Sequence, residues 1–164
     1  MDLYLIRHAD ALPLEAANTD NDAERPLSVT GQEQAQALAA GLQRRGVHLN
    51  YLVTSPLTRA QQTAEGILRH WSEGSAPELR VCEDLAPGGK RRKVARFLGS
   101  LAGEAVGIVG HQPDLGEFGG WLLGHRKDPL DLAKAGVALV RCEDGPGKGR
   151  GCLVWLVTPN WLTP

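Results

Sequence analysis

Cysteine is scarce in this 164-residue chain. Cys82, Cys142 and Cys152 make an odd count, with no C-x-x-C spacing and no histidine beside any of them. That excludes a disulfide framework and a structural zinc site. All three are expected as small core residues, with Cys142 and Cys152 placed to face each other across a C-terminal hairpin as thiols. Long apolar runs are missing too. Nothing approaches the roughly 20 residues that span a bilayer, and Met1 leads into a strand-like segment without signal-peptide patterning. The expectation is a cytoplasmic protein that does not engage membranes. A dominant charge is also lacking: the net charge is −1 with acids and bases interspersed, which excludes general attraction to nucleic acid. One local exception is Lys90-Arg91-Arg92-Lys93, read as a solvated helix start or a contact for an acidic partner. Repeats and low-complexity segments are absent.

What is present is a regular alternation. Hydrophobic residues make up 42% of the chain, which suits one domain over residues 1–164 burying about two-thirds of the surface its unfolded form exposes. Strand-like runs at 3–6, 51–54, 79–82 and 106–109 alternate with helical patterns, which predicts an α/β sheet. The first helix is expected to open on a capping box, Thr30 with Glu33. It carries an apolar stripe of Ala35, Leu38, Ala39 and Leu42 and ends at Gly46. A second helix is expected from Pro56 through Ala60, Ala64, Ile67 and Leu68 towards Trp71. A third is expected over 92–101. A short fourth follows Pro113, weakened by Gly116, Gly119 and Gly120. Residues 137–142 and 152–158, joined by the glycine-rich turn 144–151, read as a hairpin at the sheet edge. The polar stretch 15–25 reads as a loop over a site.

Three short motifs sit where apolar runs end. Arg7-His8 follows the first run, Ser55-Pro56-Leu57-Thr58-Arg59-Ala60 the second, and Gly110-His111-Gln112-Pro113 the fourth. The carboxyl ends of parallel strands line one crevice, so the three are expected to converge on a single anion. A phosphoryl group, with about 1.5 to 2 negative charges, needs fixed positive charge and several donors. Arg7 and Arg59 supply both as bidentate clamps. Neutral histidine can attack phosphorus when its other ring nitrogen is held by an acceptor, which makes His8 the expected nucleophile and a phosphohistidine the expected intermediate. Neighbouring arginines depress its pKa and keep it neutral. His111 is expected to donate to a phosphoryl oxygen, as an imidazolium, while charge builds there. No metal or cofactor is required. In isolation each motif has a plainer reading, Arg59 as an exposed helix cation and His111 as a turn histidine. His48, His70 and His125 read as surface residues, and Asp10 and Glu33 as capping or orienting groups.

Taken together, Leu5-Ile6-Arg7-His8-Ala9-Asp10, Arg25-Pro26-Leu27-Ser28-Val29-Thr30-Gly31, Ser55 through Ala64 and Gly110-His111-Gln112-Pro113 resemble the histidine phosphatase superfamily. More narrowly they resemble its small phosphohistidine phosphatases of the SixA type. The resemblance implies a phosphoglycerate mutase-like fold, a three-layer α/β/α sandwich whose mainly parallel sheet carries an antiparallel edge hairpin. It implies His8 as the phosphorylated nucleophile, Arg7, Arg59 and His111 as the phosphate pocket, and Arg25 as a further phosphate-side residue. Larger members carry an inserted lid and an acidic proton donor. Here the roughly twenty residues between Leu85 and Val106 are too few for a lid plus a helix, and neither Glu83 nor Asp84 is assigned as donor. Phosphohistidine leaves as neutral imidazole, so it relaxes the need for an enzymic acid. An unlidded pocket also admits a side chain of a folded partner, such as a histidine-containing phosphotransfer domain. The expected function is dephosphorylation of phosphohistidine on a partner protein. The alternatives are a small-molecule phosphomonoesterase, a phosphoglycerate mutase, or a catalytically silent phosphate-binding module.

Overall fold

Side chains on successive strand residues point to opposite faces, and the central strands here are apolar on both. In the computed structural model, which describes residues 1–72, 74–125 and 129–161, six strands form one sheet. They are β1 (Asp2–Arg7), β2 (Tyr51–Thr54), β3 (Glu78–Val81), β4 (Ala105–Gly110), β5 (Val137–Cys142) and β6 (Gly151–Val157), in the order β3-β2-β4-β1-β5-β6. The first four run parallel, and β5 and β6 join antiparallel beyond β1. Tyr4 and Ile6 pack on one face with Leu38, Leu42, Ala64 and Ile67. Leu3 and Leu5 pack on the other with Leu98, Leu115, Phe118 and Leu122. Helices α1 (Val29–Arg44) and α2 (Thr58–Arg69) therefore cover one face, and α3 (Arg91–Gly99) and α4 (Asp114–Leu122) the other. This is the expected three-layer α/β/α sandwich.

Local details depart from expectation where a distant contact decides them. Helix α1 starts two residues earlier than its Thr30–Glu33 box implies, because Ser28 is the N-cap and accepts from the Gly31 N–H at 3.0 Å; Glu33 is exposed. Ser28 also donates to Asp10 Oδ2 at 2.6 Å, a partner outside any local pattern. Pro56 lies ahead of α2, whose N-cap is Leu57. Across the hairpin Cys142 pairs with Gly151, and Cys152 with Arg141. Cys142 is buried and Cys152 exposed, so they do not face each other, and Cys152 is no core residue. The glycines of α4 serve close approach. A Cβ at Gly116 would stand 2.1 Å from the Leu130 carbonyl oxygen, and one at Gly119 would stand 2.7 Å from Leu130 Cδ1. That contact docks the segment leading to β5, and Gln112 clamps it by donating to the Leu130 carbonyl at 2.9 Å.

Candidate active site

Parallel register brings the ends of β1, β2 and β4 to one edge. Arg7 pairs with Gly110, and Thr54 with Val109, so the next residues, His8, Ser55 and His111, are neighbours there. The His8 and His111 rings lie 5.1 Å apart between centroids. His8 is 8% exposed and His111 3%. A backbone carbonyl can only accept, so the 2.7 Å contact of His8 Nδ1 with the Ala9 oxygen fixes the proton on Nδ1 and leaves the Nε2 lone pair free. Thr63 accepts from the Ala9 N–H at 3.0 Å and holds that peptide from α2. Burial, reinforced by Arg59, Arg7 and Lys134, lowers the His8 pKa to about 4 against the raising effect of the Ala9 carbonyl.

His111 meets Ser55 Oγ through Nε2 at 2.8 Å. Ser55 Oγ also accepts from the Leu57 N–H at 3.3 Å. Burial first, then the charges of His8, Arg59 and Arg7, lower the His111 pKa to about 3. Burial and these charges favour a neutral imidazole at His111 over an imidazolium. Among the described residues the buried side-chain nitrogens and oxygens without a hydrogen bond are two, His111 Nδ1 and Arg7 Nε. Both belong to this cluster. Buried polar atoms left without a partner cost stability.

The arginines are oriented by carbonyls and one carboxylate. Arg7 donates through Nη1 to the Leu132 carbonyl at 2.8 Å, in the segment that Gln112 clamps. Arg59, 6% exposed, donates to the Asp22 carbonyl at 2.7 Å and to Asp22 Oδ2 at 3.1 Å. Asp22 lies on the loop expected over the site, which contains two short 3-10 turns. Arg25 donates through Nε to the Leu12 carbonyl and through Nη1 to Asp22 Oδ1, both at 2.8 Å. The structure therefore brings Arg7, His8, Arg59 and His111 together and leaves Arg25 one layer out, gripping the carboxylate that grips Arg59. Arg25, then Arg59, hold the Asp22 carboxyl below the usual range.

Sequence reasoning gave no individual role to Asp22, Ser55, Thr63 or Lys134. Lys134 Nζ reaches Asp10 Oδ1 at 2.6 Å across 124 residues of chain, and no local signal announces it. Asp10 orients, as expected: it binds Ser28 and Lys134, which lower its pKa. Of the two proton-donor candidates, Glu83 is exposed, and Asp84 lines a small cavity with His111 while facing Lys93 at 3.7 Å. Between Leu85 and β4 lie α3 and short connections, with no inserted lid. Among the described residues no three His, Cys, Asp or Glu side chains form a metal-binding group, and no helix is long and apolar enough to cross a membrane.

The fold and this cluster define a family. The model of the histidine phosphatase superfamily, branch 1, matches residues 3–86, and the chain belongs to that superfamily. Within it the chain is SixA-like. It is 28% identical over 162 residues to the phosphohistidine phosphatase SixA of Escherichia coli strain K12, covering 97% of this chain and 94% of that one. A solved structure of the protein histidine phosphatase SixA complexed with tungstate superposes with a TM-score of 0.84 at 25% identity. The match covers 99% of this chain and 100% of that one. An uncharacterised protein of Picosynechococcus is 37% identical over 173 residues, covering 100% of both.

Proposed function

We propose that this protein hydrolyses phosphohistidine on a partner protein, through a phosphoryl group carried transiently by His8. The observation that supports it most is the state of the two histidines. His8 is held neutral with its Nε2 lone pair free, and beside it stands a buried ring nitrogen of His111, Nδ1, without a partner. A bound phosphoryl group would meet the Arg7 and Arg59 guanidinium groups and the His111 ring. Its oxygens would supply the acceptor that Arg7 Nε lacks and, with the His111 proton on Nδ1, one for that nitrogen. His8 Nε2 then forms a bond to phosphorus as the substrate's P–N bond breaks, and the substrate imidazole leaves neutral with the proton on its other nitrogen. Water attacks the phosphorus of phospho-His8 in turn. The Nε2–P bond breaks with its electron pair returning to Nε2, and inorganic phosphate takes up the water's oxygen and both of its protons, releasing one to solvent as pH dictates.

The missing lid and the lack of an assigned acid favour this substrate over a phosphate ester, whose alkoxide needs a proton. The tungstate held by the SixA structure is itself a tetrahedral oxyanion, the kind of species the cluster suits. A partner such as a histidine-containing phosphotransfer domain could present its side chain to a lidless pocket. Comparing kcat/KM on phosphoramidate, a phosphohistidine protein and ordinary phosphate esters tests the reading. It predicts a strong preference for the P–N substrates, and a preference for sugar phosphates or nucleotides would reverse it in favour of a small-molecule phosphomonoesterase.

A further inference from the structure

The run Lys90-Arg91-Arg92-Lys93 takes no part in the chemistry above, yet the topology carries it to the catalytic edge. β3 runs parallel to β2 and β4, so the chain leaves β3 on the side where His8 and His111 stand. Helix α3 begins there at Arg91. Arg91 and His111 line one small cavity, and the Gly88 N–H donates to Asp114 Oδ2 at 3.3 Å, tying this approach to the start of α4.

The cations crowd the first turn of a helix with no acidic residue in that turn and no side-chain cap. The helix dipole disfavours positive charge at that end, so the arrangement works against the helix's own stability. Acidic neighbours offset it in part. Arg91 lies 3.5 Å from Glu117 and Lys93 3.7 Å from Asp84, in exposed pairs, and exposed pairs of this kind are weak. Lys90 and Arg92 have no acidic partner among the described residues. From this turn an open groove of about 570 Å³ follows α3, lined by Arg92, Ala95, Arg96, Trp121 and Pro146, with Asp144 its one acid among the described residues.

We propose that the exposed side of α3 and this groove form a docking face for a phosphoprotein whose phosphohistidine is flanked by aspartate and glutamate. The inference rests on the phosphohistidine reading above. An acidic segment laid along Arg92 and Arg96 brings its neighbouring phosphorylated side chain to the cavity edge beside His111. Complementary charge steers the encounter and loses strength with salt.

The test uses the full chain and two synthetic phosphohistidine peptides of equal length, one flanked by glutamate and one by serine, with phosphoramidate as a control that cannot reach the groove. At low salt the wild type should turn over the acidic peptide about tenfold faster in kcat/KM, and the preference should shrink as salt rises. Combining Lys90→Glu, Arg92→Glu and Lys93→Glu should abolish the preference while leaving phosphoramidate hydrolysis unchanged. Glutamate suits a first helical turn, so the thermal midpoint of this variant should not fall. Arg92→Gln with Arg96→Gln is the milder second variant and should cut the preference severalfold. Equal turnover of the two peptides by the wild type, or a preference that survives both variants, overturns the docking face. So does tight binding of a single-stranded RNA oligomer to the run with no peptide preference. If the wild type turns over neither peptide nor phosphoramidate, the phosphohistidine reading itself falls, and this inference with it.

Discussion

At the scale of single residues, the division of labour between His8 and the arginines makes separable predictions. His8→Ala should abolish turnover while inorganic phosphate still binds in equilibrium dialysis, because Arg7 and Arg59 do not depend on the imidazole for their orientation. Arg59→Ala should weaken binding and turnover together. Asp22 occupies two donor positions of Arg59 that a phosphoryl group would use. Asp22→Asn, which removes the charge, should tighten competitive inhibition by inorganic phosphate severalfold at low ionic strength; unchanged or weaker inhibition contradicts the role of Asp22 as an internal competitor. The four central residues were legible because each belongs to a short motif at a strand end. The pairing of Arg25 was not. Its Arg-Pro-Leu setting suggests the phosphate side, and the ion pair it makes is to Asp22, three residues back.

At the scale of elements, α1 shows what periodicity fixes and what it leaves open. The stripe of Ala35, Leu38, Ala39 and Leu42 is buried as its spacing requires. The start of the helix departs from the Thr30–Glu33 pattern because Ser28 caps it through its contacts to Asp10 and Gly31. Ser28→Ala should therefore cost about 1 kcal/mol as a lost cap, read as a shift in the urea midpoint. Gly31→Ala should cost more, about 2 kcal/mol or more. Its Cβ would stand 1.9 Å from the Asp10 carbonyl oxygen, and the strain falls two residues from His8. Equal midpoints for Gly31→Ala and wild type would contradict that packing. The glycines of α4 looked like a weakness in the sequence. Their purpose became visible only with Leu130, a contact between segments that a helical pattern cannot encode.

At the scale of the whole molecule, two buried neutral histidines couple the site to stability. Their pKa values fall from about 6.5 in the unfolded chain to about 4 for His8 and about 3 for His111. Below pH 6.5 the unfolded chain binds protons that the folded chain refuses, so acidification favours unfolding. This stability is fully present above pH 6.5 and is lost as pH falls towards the folded values, by up to roughly 1.4 kcal/mol per pH unit for each histidine. Urea midpoints between pH 7 and pH 5 should fall accordingly, and the slope should flatten in a variant with both histidines replaced by glutamine. The parallel core of the sheet and its edge hairpin were readable from run spacing. The long-range anchors of the site, Lys134 on Asp10 and Leu132 on Arg7, arise from the antiparallel return of β5 beside β1 and leave no trace in either local segment.

The central claim is that His8 carries the phosphoryl group. Rapid quenching of the protein with radiolabelled phosphohistidine peptide or phosphoramidate, followed by peptide mapping in alkali, tests it most directly. Acid-labile label on His8 that is absent from His8→Ala is the predicted result. Turnover without any label on His8, or full turnover by the alanine variant, would contradict it.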